Sequence, residues 1–187
     1  MSEAQHMDKK LPSLYNLSDR HPGVTKSIGD SYAEAASVCL NRHHASPINF
    51  DIFCNLEKLR GSIDWTKPDD RTKRAWANDI DTTESGAYGI SLVAVEEEKG
   101  LVAIARAETL TGADYYIAHP NSPIDDLENL IRLEVSGIDH GNETEIKRRL
   151  LIKKRQTLAG NSNKPAIAAV VGFKELKIFI SDVDSEK

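Results

Sequence analysis

Gly112-Ala113-Asp114-Tyr115-Tyr116-Ile117 and Leu133-Glu134-Val135-Ser136-Gly137 are the two stretches on which the reading of this chain turns. In each, apolar side chains alternate with polar ones, and a period of two is that of a β-strand with one buried face. The alternation puts Asp114, Glu134 and Ser136 opposite the apolar residues Tyr115, Ile117, Leu133 and Val135. Two carboxylates on adjacent strands make a candidate metal site. Glutamate is disfavoured in mid-strand, so Glu134 among buried-looking neighbours calls for a chemical reason. Asp114, two residues past Gly112, can equally be a turn residue that begins its strand. Tyr115 is expected in the core and Tyr116 on the side of the acids.

The surrounding sequence places these strands in an α/β unit. Upstream, Thr82 or Thr83 can cap a helix that runs to about Glu98, with Gly100 ending it. Ala87, Ile90, Ser91 and Ala94 mark one face of that helix, and Tyr88, Leu92 and Val95 another, so it should pack on two sides. A strand over Leu101 to Ala107 precedes Ala113–Ala118 and Ile131–Gly137. Downstream, a helix opens near Asn142 and reaches about Leu158, before Gly160. Ala166 to Phe173 is a continuous apolar run, the mark of a strand covered on both faces, and Leu176 to Ile180 forms the last strand. The order from Thr82 is helix, three strands, helix, strand, strand.

The first 80 residues read differently. Residues 1 to 26, with Pro12, Pro22 and Gly23, suit an irregular lead segment. Ile28, Tyr32, Ala35, Ala36, Cys39 and Leu40 recur at helical spacing from Ser27 to His44, and Ser46-Pro47 stops the run. A second helix is expected from Asp51 to Arg60, with Ile52, Leu56 and Leu59 on one side and Gly61 after its end. A third begins near Pro68-Asp69-Asp70, giving Trp76 a place to pack. These features divide the chain into an α-helical N-terminal region (1–80) and an α/β core (81–187). His43 and His44 read as partners of a helix C-terminus, and His119 and His140 as loop residues near strand ends.

Composition narrows the function classes. With 40% hydrophobic and 28% charged residues the chain is an ordinary globular one, long enough to bury a core unaided. A net charge of -5 argues against a globally basic nucleic-acid binder and leaves only a local basic stripe. Cys39 and Cys54 form no CxxC pair and have no evident histidine partner, so they read as reduced thiols, without a zinc ribbon or thiol catalysis. MSEAQHMDKK has no apolar signal-peptide core, and no run elsewhere approaches a membrane span, which makes a cytoplasmic protein the expectation. GxxxxGK[ST], GxGxxG and GxSxG frames are missing, so nucleotide-driven, nicotinamide and serine-elbow chemistry lack their signatures.

On the helix after Asn142, Arg149, Lys153 and Gln156 stand at i, i+4 and i+7, a polar stripe beside an apolar face of Ile146, Leu150 and Leu158. Lys147 and Lys154 lie nearer Leu150 and Leu151. The same cations can equally be a solvated face whose positive charge favours the helix C-terminus.

The element order, with Asp114 on the second strand and Glu134 on the third, resembles the PD-(D/E)xK nuclease superfamily over roughly residues 82 to 181. The resemblance implies a restriction-endonuclease-like core preceded by the helical region. It implies that Asp114 is the motif aspartate, Glu134 the acid of the (D/E)xK element and Glu84 the further glutamate of the first core helix. These three would hold Mg²⁺ or Mn²⁺, which activates water and shields the scissile phosphate. The motif lysine is replaced by Ser136, whose hydroxyl can orient water but carries no charge. Some members move the lysine to the following helix and many carry a glutamine there, which points to Lys153 and Gln156. Arg148, Arg149 and Arg155 would contact backbone phosphates of DNA. The family's settings imply restriction, repair or phage defence. The alternative is a catalytically silent nuclease-like module that binds a protein partner or a second copy of itself.

Overall fold

In the computed structural model, which describes residues 9–55, 57–123, 129–160 and 162–183, Asn142 opens a helix with a reciprocal cap. Its side chain accepts from the Glu145 amide while the Glu145 carboxylate accepts from the Asn142 amide. That helix, α5 (Glu143–Ala159), leads into β7 (Ala166–Gly172) and β8 (Lys177–Val183). Before it come α4 (Asp79–Lys99), β4 (Val102–Arg106), β5 (Tyr115–Ala118) and β6 (Ile131–Ile138). The expected order from Thr82 is therefore the observed one. α4 starts earlier than expected, because Asn78 rather than a threonine accepts from the first free amides. Thr82 instead donates its hydroxyl to the Asn78 carbonyl inside the helix. Gly100 ends α4 in the left-handed region, at φ 63°, where a Cβ would be disfavoured.

The N-terminal segments are β1 (Lys9–Lys10), α1 (Leu17–Arg20), α2 (Lys26–His43), β2 (Ile48–Cys54), β3 (Glu57–Ile63) and α3 (Asp70–Ala75). Here one expectation fails. Asp51 to Arg60 is no helix but a hairpin, with Ile52 opposite Leu59. Phe50, Ile52 and Cys54 are buried while their neighbours are half-buried, a period of two, and Asn55 turns the chain at φ 53°. The expected lead segment falls partly, at residues 1–8, outside the described residues, as does Leu56. α2 and α3 match expectation, with Thr25 and Asp69 as caps.

The eight strands among the described residues join one mixed sheet in the order β1-β3-β2-β8-β7-β6-β5-β4. β4, β5 and β6 form an antiparallel meander, and α5 then crosses over so that β7 lies parallel to β6. β2 pairs in parallel with β8, so the sheet runs continuously from the hairpin into the later strands.

The two faces of β6 show how the layers lie. A Cβ on Gly137 would come within 2.6 Å of the Thr83 carbonyl and 3.0 Å of the Ala87 methyl, so α4 presses on that face. Ser136, one residue back, meets Arg149 of α5 on the other. α2 packs on the outer side of α4, where a Cβ on Gly86 would stand 3.1 Å from the Ala36 backbone. Residues 86–95 of α4 are accordingly buried all round, as its double apolar face requires. The core between α4 and the sheet holds Leu133, Val135, Ile167 and Val171, and that beneath α5 holds Ile146, Val170 and Phe179. The apolar face of α5 is narrower than expected: Leu158 is 45% exposed, with Leu151 and Ile152 exposed beside it.

Candidate metal centre

β5 and β6 pair only as far as Tyr115–Leu133, after which β5 peels away. Asp114 sits at that fork. Its amide still donates to the Leu133 carbonyl, but its side chain replaces the lost strand: Oδ2 accepts from the Val135 amide at 2.8 Å. Glu134, next to that amide, is thereby brought beside Asp114 at the opening in the sheet. Burial raises the Glu134 carboxyl above the usual carboxylate range, and the negative charge of Asp114 raises it further. Lys153 opposes both. Its ammonium, carried by α5, lies 2.6 Å from Glu134 Oε1, and both side chains are mostly covered, at 20% and 11% exposure. α5 thus brings a cation to the face of β6 that carries Glu134 and Ser136. Ser136 is itself buried, and its hydroxyl accepts from Arg149 at 3.5 Å.

Across the cleft, α4 contributes Glu84 and Tyr88. The Tyr88 hydroxyl oxygen stands 2.8 Å from Asp114 Oδ1 and 3.0 Å from Glu84 Oε1, and it accepts from Arg106 at 3.0 Å. One phenol has one proton, so it can donate fully to only one of the two carboxylates at a time. The Arg106 guanidinium stacks over Tyr88 and Tyr115, at 4.4 and 4.7 Å from the ring centres, and its Nη2 lies 3.6 Å from Asp114. Tyr88 and Arg106 were not legible as site residues. In sequence, Tyr88 is one more apolar-face residue of α4, and Arg106 follows an apolar run at a strand end. Tyr116 turns from the acids, donating to Glu108, while Tyr115 is in the core as expected.

Asp114, Glu84, Tyr88, Ser136, Arg149 and Lys153 line a cleft of about 480 Å³. Arg149 and Lys153 also border a second hollow of about 380 Å³ with Arg148 and Gln156. The predicted stripe at i, i+4 and i+7 therefore faces open space, Gln156 at its exposed end. Arg155 is exposed and lies outside both hollows.

Carboxylate oxygens suit Mg²⁺ or Mn²⁺, and a neighbouring pair whose mutual repulsion raises one member gains most from a cation between them. Asp114 and Glu134 fit on that ground. Glu84 joins them only through the Tyr88 hydroxyl, since the three carboxylates do not all come within 4.8 Å of one another. Among the described residues, the group that does so is His43, Asp139 and His140. His44 is separate, with Nε2 2.9 Å from the Phe173 carbonyl, and His119 lines a different hollow. Burial pushes the Cys39 thiol up to about 12, which keeps it protonated and inert at neutral pH. Among the described residues no helix is long and apolar enough to cross a membrane. No family model, curated protein or solved structure matches this chain.

Proposed function

We propose that this cleft hydrolyses phosphodiester bonds of nucleic acid, DNA first among candidates, with a divalent cation. The observation that carries the reading is the Lys153 ammonium, 2.6 Å from the Glu134 carboxylate that adjoins Asp114. Two acids and one cation then converge at a strand fork, with arginines along the rim. The α4-β4-β5-β6-α5-β7 order supports the same resemblance that the sequence suggests.

Each side chain has a task in such a reaction. Asp114, fixed by the Val135 amide and the Tyr88 hydroxyl, presents carboxylate oxygen at an unchanging place. Lys153, held in place by Glu134, donates to the attacking water or to a phosphate oxygen as negative charge develops there. Gln156 assists from the adjoining hollow by orienting the water, and Ser136 offers a neutral hydroxyl. Arg148 and Arg149 hold flanking phosphates, a contact that should weaken with salt. Mg²⁺ or Mn²⁺, held by Asp114 and Glu134 with Glu84 behind Tyr88, would supply Lewis-acid polarisation of the phosphate and a more acidic water.

Cleavage of plasmid and of labelled single- and double-stranded DNA, with Mg²⁺ or Mn²⁺, tests this. The wild type should cut, and Asp114→Ala, Glu134→Ala and Lys153→Ala should each lose about a hundredfold or more. Cleavage unchanged in both acid variants removes the assignment. A second reading, a silent module docking a protein or its own copy, draws on exposed Leu151, Ile152 and Leu158 along α5. It is preferred if no metal supports cutting and Leu151→Glu abolishes an association seen by light scattering.

A further inference from the structure

Away from the acid pair, the last residue of α2 meets the two residues that follow β6. His43 Nε2 lies 2.8 Å from Asp139 Oδ1, and His140 Nε2 lies 3.3 Å from Asp139 Oδ2. The two imidazoles stand edge to face, with ring centres 4.8 Å apart. We propose that His43, Asp139 and His140 bind one transition-metal ion of the zinc class.

The spacing carries the argument first. Around a tetrahedral ion with bonds of about 2.0–2.1 Å, neighbouring ligand atoms stand roughly 3.3 Å apart. One donor from each of the three residues already lies within 4.8 Å of the other two, so small rotations of side chains suffice and the backbone need not move. Charge agrees. Arg42 lies between two carboxylates, with Nη1 2.5 Å from Asp139 Oδ2 and Nη2 2.8 Å from Asp79 Oδ1. One positive and two negative groups leave a net negative charge before any ion arrives. Arg42 also fixes the Asp139 carboxylate from behind, leaving Oδ1 turned to His43, as an outer partner orients a ligand. Two imidazole nitrogens and one carboxylate oxygen select zinc-class ions over Mg²⁺, which prefers oxygen throughout.

Such an ion ties the C-terminus of α2 to the end of β6. Asp139 also lines the cleft that holds Asp114 and Lys153. With three protein ligands the ion keeps a fourth position for water or for a phosphate oxygen.

The test uses the untagged full chain, titrated with Co²⁺ and back-titrated with Zn²⁺, reading the visible ligand-field bands of four-coordinate cobalt together with the melting temperature. The four-coordinate bands should saturate at one equivalent and be bleached by Zn²⁺, with a rise in melting temperature. His140→Ala and His43→Ala should each weaken binding at least about tenfold. His140 is 71% exposed, so its replacement leaves folding intact. Glu134→Gln should bind Co²⁺ like the wild type, which separates this site from the acid pair whatever the outcome of the cleavage assays. Absence of bands at stoichiometric Co²⁺, bands unchanged in both histidine variants, or bands lost in Glu134→Gln would each overturn the proposal.

Discussion

Lys153→Ala should destabilise the protein, and by an amount that grows with pH. In the wild type the Glu134 carboxyl is raised above its ordinary range, by burial and by Asp114, so its ionisation opposes folding. Stability from this group is full below the unfolded-state value and is lost as pH rises through the folded one. Lys153 limits that loss. At 2.6 Å and an effective dielectric near 20 the pair attract by roughly 6 kcal/mol, and desolvation of both ions returns more than half of it. Removing the ammonium should therefore cost about 2–3 kcal/mol at pH 8, where Glu134 would remain charged beside Asp114. At pH 5 the loss should be smaller, about 1 kcal/mol, because the raised Glu134 carboxyl then lies closer to protonation and what remains is mostly lost packing of the lysine stem. Urea denaturation of both proteins at the two pH values measures this. The double variant Lys153→Met/Glu134→Gln, which leaves no buried charge from this pair, should recover most of the loss. An equal loss at pH 5 and pH 8, or a double variant less stable than Lys153→Ala, would refute the reasoning.

Other consequences follow from the same geometry. Tyr88→Phe removes the hydroxyl shared by Glu84, Asp114 and Arg106, and should cost about 1–2 kcal/mol by urea denaturation while lowering any cleavage rate. Gly137→Ala forces a methyl to within 2.6 Å of the Thr83 carbonyl and should cost about 1–3 kcal/mol, visible as a lower urea midpoint. Asn142→Ala breaks the reciprocal cap of α5 and should cost about 1 kcal/mol, leaving metal binding in place. Mg²⁺ at about a hundred times its dissociation constant should add about 2.7 kcal/mol to the wild type, a gain that Asp114→Asn abolishes in a thermal-shift assay.

Much of the later fold was legible because local and global signals agreed there. The apolar run from Ala166 stood for a strand covered on both faces, and β7 is buried along its length. Gly100 and Asn142 marked helix ends, and both adopt the cap geometry their residue types favour. The β2–β3 hairpin is hidden in the sequence because Ile52 and Leu59, seven apart, mimic a helical face. The stronger signal was the alternation of Phe50, Ile52 and Cys54 running into Asn55, a residue that tolerates the left-handed turn. At the site, strand period put Asp114 and Glu134 on one face, helical spacing gave only a polar stripe on α5, and it took the resemblance to single out Lys153 from it. Tyr88 and Arg106 needed tertiary structure, because their roles depend on the fork between β5 and β6. His43 and Asp139 meet across a separation in sequence that no periodicity bridges.

In the function proposed for this cleft, Asp114 and Glu134 share one divalent cation next to the Lys153 ammonium. Anomalous diffraction from a crystal grown with Mn²⁺ tests it most directly. A peak is expected roughly 2.2 Å from an oxygen of each carboxylate. A map with no peak there at saturating Mn²⁺, or with manganese only beside His43 and Asp139, would contradict it.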